Sequence, residues 1–208
     1  MSDRSLPNEF VVTLETLARS YLRETDPIRA SGFGGGAERW RAEREPLLDG
    51  VSGDGNILDV GCANGYLLEC LVQWGRERNL KVTPHGVDRS AALVGLARER
   101  LPRFAANLHV GNSWTWCPPR QYEYVYALYD CVPLDYLAEY VDRLLDRAVR
   151  VGGRLIVGAY GSRSRGLEPY DIAGFLESHG HAVSGRSSGG SPVVAHFAWV
   201  DKPPAPPN

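Results

Sequence analysis

The chain has no long hydrophobic run. Its 208 residues contain no stretch of about 18 apolar side chains, the length a helix needs to cross a bilayer. It also lacks an excess of positive charge. With 23 Lys and Arg against 25 Asp and Glu, the formal net charge is -2, which argues against a surface built for a phosphate backbone. Cysteine is scarce: Cys62, Cys70, Cys117 and Cys131 form no C-x-x-C pair, so no metal site is expected. Residues 1–9 are polar and carry Asp3 and Pro7, without the apolar run of a signal peptide. The cysteines therefore read as reduced thiols in a cytoplasm, and no membrane partner is expected. No internal repeat is visible, and the oligomeric state is not legible. What is present is 43% apolar residues, enough for the core of one ordinary domain.

The apolar spacing divides the chain. Phe10, Leu14, Leu17, Ala18, Tyr21 and Leu22 predict an amphipathic helix running to Glu24. The glycine-rich run 32–36 follows, then a charged helix over 37–48 that Pro46 breaks or kinks. From Asn56 strands and helices alternate. Strands are predicted at 56–60, 82–87 (weakened by Pro84), 107–110, 122–128 and 154–159. Helices follow the first, second and fourth strands: one marked by Leu67, Leu68, Leu71 and Trp74, one capped by Ser90 and ended by Pro102, and one from Pro133 closed near Gly152. A short helix at 171–178 and strands at Val183 and 193–200, joined by a loop at 187–191, complete the order. This order predicts an α/β, Rossmann-like, doubly wound sheet of seven strands, mostly parallel with the last antiparallel, behind an N-terminal helical extension. The expected domains are a helical extension or lid over 1–50, a ligand-binding domain over 51–202 and a disordered tail over 203–208.

In such sheets ligands bind beyond the carboxyl ends of the strands. After the first strand stands Asp59-Val60-Gly61-Cys62-Ala63-Asn64-Gly65. Glycine at 61 and 65 lets the backbone turn tightly and approach a ligand, and the following helix directs free N–H groups at it. Asp88 ends the second strand, roughly twenty residues on, where a carboxylate accepts from both hydroxyls of a ribose. A dinucleotide fingerprint needs G-x-G-x-x-G, but Ala63 and Tyr66 replace two of its glycines, and Tyr66 would crowd a pyrophosphate. The pattern suits an adenosine ligand without phosphates.

The run 57–65 resembles motif I of class I S-adenosylmethionine-dependent methyltransferases, D-x-G-x-x-x-G. Further matches follow in order: Gly86-Val87-Asp88 at the second strand end, Val110-Gly111-Asn112-Ser113 where G-D-[AI] is common, Tyr122-Glu123-Tyr124-Val125 like F-D-x-V, and Val151-Gly152-Gly153-Arg154-Leu155-Ile156 like the G-G run before the fifth strand. The resemblance covers most of 56–200. It implies S-adenosylmethionine as methyl donor, with S-adenosylhomocysteine as product. It places Gly61, Cys62, Ala63 and Gly65 along methionine and ribose, Asp59 at the amino group, Asp88 at the ribose with Arg89 among the cofactor-binding residues, Asn112 and Ser113 at the adenine edge, and Leu128 and Tyr129 near the sulfonium. Asn112 stands where the family usually has Asp, so an amide oxygen would meet the adenine amino group.

The acceptor should lie beyond the fourth and fifth strands, which nominates Tyr129, Asp130 and Tyr160 as catalytic or acceptor-shaping residues. Asp130 has two readings, a general base or acceptor anchor and a cap for the helix at Pro133. Tyr129 and Tyr160 are pocket residues or ordinary packing. Trp40 and Arg44, one helical turn apart, belong to a lid hinged at 32–36 or to a plain linker. Arg143, Arg147, Arg150 and Arg154 read as a solvated face interleaved by Asp142 and Asp146. Family members that methylate base amines carry [DNS]-P-P-[YFW] after the fourth strand, and Leu128-Tyr129-Asp130-Cys131 does not match it. A small-molecule acceptor is therefore expected. RNA or protein methylation, a nicotinamide oxidoreductase and a non-catalytic adenosine-binding module stay open.

Overall fold

The computed structural model describes residues 4–203, so all but the first residue of the predicted tail lies outside the described residues. Seven strands form one sheet: β1 Gly55–Val60, β2 Val82–Asp88, β3 Leu108–Val110, β4 Tyr122–Leu128, β5 Val149–Tyr160, β6 Val183–Gly189 and β7 Ala195–Asp201. Their order is β3-β2-β1-β4-β5-β7-β6. β7 is antiparallel to both its neighbours, and the remaining pairs are parallel. The order reverses between β1 and β4, so the loops leaving those strands diverge and open a crevice at their carboxyl ends.

Alternation along each strand feeds two cores. Ile57, Tyr126, Ile156 and Phe197 face one side, packed with Leu68, Leu71 and Trp74 of α3 (Tyr66–Glu77) and Val94 and Ala97 of α4 (Ala91–Arg100). Leu58, Val125, Leu155 and Ala198 face the other, against Leu137, Val141 and Leu144 of α5 (Leu137–Arg147) and Ile172 and Leu176 of α6 (Ile172–Ser178). Both faces are dry, as a mostly parallel sheet requires. Pro84 is tolerated because β3 pairs with β2 only from Gly86 onward, leaving that edge open, where the Pro84 carbonyl accepts from Asn107 Nδ2 (3.0 Å).

The structure corrects several expectations. The first helix, α1 (Asn8–Tyr21), stops at Tyr21, not at Glu24, and none of its residues is buried. The second, α2 (Ala37–Arg44), ends two residues before Pro46 and continues as a 3-10 turn, Glu45–Gly50. Gly152 does not close α5. Ala148 already hydrogen-bonds Tyr122 as the chain enters the sheet, and Gly152, with φ 72°, lies in a bulge of β5. The predicted loop at 187–191 is mostly strand; residues 187–189 pair with β7. The arginine face is paired, but with other acids: Arg143 with Glu139, Arg150 with Glu123 and Arg154 with Asp201, while Asp142 meets His181.

The N-terminal extension is not one unit. α2 is packed into the body, with Trp40 only 3% exposed. α1 lies across the crevice as a strap held at both ends. Before it, the Arg4 and Ser5 carbonyls accept from Trp114 Nε1 and Tyr136 O–H, and Arg4 pairs with Asp135. After it, Asn64 Nδ2 donates to the Pro27 carbonyl (3.0 Å) and Ser31 Oγ donates to Asn64 Oδ1 (2.9 Å). No helix of the described residues is long and apolar enough to cross a membrane.

Candidate functional site

The turn after β1 is wound around the end of β2. The N–H groups of Gly61 and Cys62 both donate to the Val87 carbonyl (2.8 and 3.1 Å), and Ala63 N–H donates to Asp88 Oδ2 (3.0 Å). Gly61 has φ 92°, a conformation that favours glycine, and it opens onto both cavities described below. Ala63 adopts φ 46° without that freedom, held by its bond to Asp88. Cys62 turns its side chain away into the core beneath Gly86, so only its backbone borders the crevice. Burial keeps its thiol protonated.

Gly65 is not where the resemblance puts it. It lines neither cavity. Its φ is 73°, and a Cβ there would lie 2.9 Å from the Cβ of Ala97, so this glycine lets α3 approach α4. The neighbour that matters is Asn64, which sequence reasoning passed over. It is 1% exposed, accepts the Tyr66 N–H at the start of α3 and ties the glycine turn to the strap.

Beyond β2 and β3 lies a cavity of about 180 Å³. Asp88, Arg89, Asn112, Ser113, Leu128 and Gly61 line it, and Leu14, Leu17 and Tyr21 of α1 roof it. The Asp88 carboxylate is oriented by backbone donors on each oxygen, Ala63 on Oδ2 and Ser90 on Oδ1 (2.8 Å). Burial nonetheless leaves its pKa above the ordinary carboxylate value. Arg89 reaches Glu15 on α1 (3.4 Å), and its Nη1 is buried without a partner. Asn112 Oδ1 already accepts the Trp114 N–H (2.9 Å), so its oxygen first serves the local turn. Ser113 Oγ lies 3.5 Å from the Cys131 carbonyl.

This cavity joins a larger one of about 650 Å³ through shared walls at Gly61, Ala63, Leu128, Asp130, Leu17 and Tyr21. Asp59 opens into the larger cavity. Its carboxyl is pushed up to about 7, by burial first and by Asp88 second. Asp130 lies at the junction and caps no helix. The turn after Pro133 and the start of α5 have no side-chain cap; Asp130 is exposed as a residue, and partial desolvation of its carboxyl by the surrounding walls raises its pKa. Tyr160 also lines the larger cavity, its hydroxyl 3.1 Å from that of Tyr126. Tyr129 does not reach either cavity. It stacks on Tyr170 at 5.1 Å with 5° between the rings. Residues with no site signal in the sequence also join this wall, Tyr21, Glu43, Tyr126 and Arg163 among them.

A doubly wound sheet in this order, with a glycine turn after β1 and a backbone-oriented acid ending β2, defines the Rossmann-like fold of class I S-adenosylmethionine-dependent methyltransferases. Solved structures share it. The Burkholderia thailandensis 1,6-didemethyltoxoflavin-N1-methyltransferase, with 1,6-didemethyltoxoflavin and S-adenosylhomocysteine bound, matches with a TM-score of 0.64 at 14% identity, over 98% of this chain and 93% of that one. The [4+2]-cyclase SpnF matches with a TM-score of 0.62 at 13% identity, over 98% and 100%. One is named for methyl transfer and the other for cyclisation, so the likeness establishes the fold and leaves the chemistry to the site. In sequence, the chain is 37% identical over 91 residues to the trans-aconitate 2-methyltransferase of Rhodopseudomonas palustris (strain HaA2). The match takes in 43% of this chain and 33% of that relative. No family model matches.

Proposed function

We propose that the protein is an S-adenosylmethionine-dependent methyltransferase acting on a small-molecule acceptor. The observation that carries this is the pair of joined cavities, meeting at Gly61, Leu128 and Asp130. The smaller suits a nucleoside whose ribose meets Asp88 and whose base lies by Asn112 and Ser113. The larger has the volume of a small-ligand site and takes the methionine part beside Asp59 together with the acceptor. The residues fit the donor. Gly61 presents bare backbone at the junction, where its φ of 92° favours glycine and a Cβ would press on Cys131 Sγ at 3.2 Å, and Arg89 Nη1 is a buried donor without a partner. The 37% identity to a methyltransferase over 91 residues supports the same reading. The roofed cavity supports a small acceptor over a polymer. A nicotinamide dinucleotide is disfavoured, because Ala63 stands where its pyrophosphate would need a glycine and Tyr66 where the fingerprint has its third.

When bound, the donor supplies an electrophilic methyl group; the acceptor's lone pair makes the new bond while the C–S pair stays on sulfur. The protein's task is alignment and exclusion of water, worth roughly 7–11 kcal/mol of barrier. Leu128 dries the junction. Asp130, with its raised pKa, is the group suited to take a proton from the acceptor. Tyr160 and Tyr126 shape the acceptor side. α1 is the lid, closing both cavities with Leu17 and Tyr21. The test is transfer of labelled methyl from S-adenosylmethionine into a small-metabolite extract. Incorporation that falls about 10²–10⁴-fold in Asp130→Asn is the expected outcome. Incorporation only into RNA or protein would overturn the acceptor class, and none at all would overturn the reading.

A further inference from the structure

The chain leaving β5 forms a flap at the larger cavity. Ser162 and Leu167 exchange both backbone hydrogen bonds (2.7 and 2.9 Å), and Gly166, with φ 62°, lets the chain turn back between them. A Cβ at Gly161 would overlap the Leu167 carbonyl, so the two limbs lie in close contact. Three contacts fasten the flap. At its root, Gly161 N–H donates to the Val194 carbonyl (2.8 Å). At its tip, Arg163 Nη1 donates to the Ser191 carbonyl (2.9 Å) in the turn between β6 and β7. At its far end, the Tyr170 ring stacks on Tyr129, with 5.1 Å between centroids and 5° between planes, and Phe175 of α6 packs on Tyr170 at 6.1 Å. The first two contacts reach the β7 side of the sheet. Of the three, the last alone reaches the end of β4, where Tyr129 opens the 3-10 turn Tyr129–Cys131 that carries Asp130.

The flap serves the larger cavity and not the smaller. Gly161, Ser162, Arg163, Ser164 and Arg165 line the first, and none of them lines the second. On the methyl-transfer reading, the donor's methionine part lies beside Asp59 and Gly61, at the end of β1. The strand order puts β5 two places from β1, which at about 4.8 Å per strand is roughly 10 Å. The Arg163 contact carries the flap further still, toward β7. What the flap walls is therefore the acceptor's part of the cavity. Asp130 lines the same cavity at its junction with the smaller one. An acceptor held between flap and Asp130 needs those two walls at one spacing, because a misplacement of about 1 Å can cost ~10²-fold in rate. The stack of Tyr170 on Tyr129 ties one wall directly to the other.

We propose that Tyr129 and Tyr170 are positioning residues for the methyl acceptor: their stack holds the flap, the acceptor's outer wall, in register with Asp130. This rests on the methyl-transfer reading. The test measures transfer of labelled methyl from S-adenosylmethionine into a dilution series of the small-metabolite extract. It compares the native protein with Tyr170→Ala, Tyr129→Ala, the double variant and Tyr170→Phe, with Tm and S-adenosylhomocysteine affinity read on each. Either Ala variant should need about 10–100-fold more extract for half-maximal transfer. The double variant should lose no more than either single one, since the two rings make one contact. Tyr170→Phe, which keeps the stack, should behave as the native protein does, and S-adenosylhomocysteine affinity should hold throughout. If an Ala variant does not fold, Tyr170→Leu takes its place with the same expected loss. A native extract dependence without the ring, or losses that add in the double variant, would overturn the proposal. So would a loss that tracks weakened S-adenosylhomocysteine binding, which would assign the flap to the donor. No transfer by the native protein, or no binding of S-adenosylhomocysteine, would instead sink the methyl-transfer reading and this proposal with it.

Discussion

Two carboxyls at the crevice are held out of water for different purposes. Asp88 is oriented by two backbone donors, a rigid acceptor pair for a diol. Asp59 is buried with its pKa pushed up to about 7. A folded-state pKa above the ordinary carboxylate value means that the protonated form is favoured in the native state. The stabilisation is full below about pH 4 and is lost as pH rises through 7. Asp59→Asn, neutral and of equal size, should therefore raise Tm at pH 8, with a gain that shrinks toward pH 5. It should also bind S-adenosylhomocysteine more weakly, because the amine loses its counter-charge. A variant with unchanged Tm at pH 8 would contradict the buried-acid account. Gly65→Ala belongs to the same scale. Strain at φ 73° and contact with Ala97 should cost about 1–3 kcal/mol each. Chemical denaturation measures it; a neutral substitution would restore Gly65 to a ligand-lining role. Residues within one local motif were legible before folding: Gly61, Ala63 and Asp88 meet as expected. Gly65 was misplaced because its reason is Ala97, on another helix. Tyr129 was misplaced because consecutive side chains of the 3-10 turn Tyr129–Cys131 point apart, sending Asp130 to the cavities and Tyr129 to Tyr170.

At the scale of elements, α1 is the part with least to hold it. It buries no residue of its own, yet its flanks are fastened to Trp114, Tyr136 and Asn64. Such a strap opens locally at small cost while the sheet stays folded. Amide hydrogen exchange should show residues 8–21 exchanging fast in the free protein and slowing on addition of S-adenosylhomocysteine, with β1 and β4 protected throughout. Equal protection with and without ligand would remove the lid role. Gly32→Ala should loosen the same roof, since a Cβ there would fall 2.3 Å from the Tyr21 hydroxyl and Gly32 has φ 77°. Weaker S-adenosylhomocysteine binding with a small change in stability is the expected pattern. The sequence period showed that α1 exists, since an apolar stripe reads the same over a crevice as over a core. It did not show that the stripe roofs a cavity. The glycines at 152 and 153 misled for a related reason: a glycine pair ends a helix or eases a bulge equally well, and only the pairing of Tyr122 with Val149 decides.

Over the whole molecule, the doubly wound, mostly parallel seven-stranded sheet that alternation predicted is the one observed, because βαβ handedness and two-sided burial leave few alternatives. The crevice follows from the reversal between β1 and β4. Less of the site was legible, because the wall of the larger cavity draws on distant segments: Arg44 and Glu43 from α2, Tyr126 from β4, Tyr160 and Arg163 from the end of β5 and beyond. No local pattern reports such a meeting. The central claim is that this crevice holds the nucleoside of a methyl donor, and its most direct test is the thermal shift with S-adenosylhomocysteine. At about a hundredfold excess over its dissociation constant the ligand adds about 2.7 kcal/mol. For a chain of this size Tm should rise by roughly 5–11 °C, and Asp88→Ala should abolish most of that rise. No rise in the native protein, or an undiminished rise in Asp88→Ala, would contradict the account.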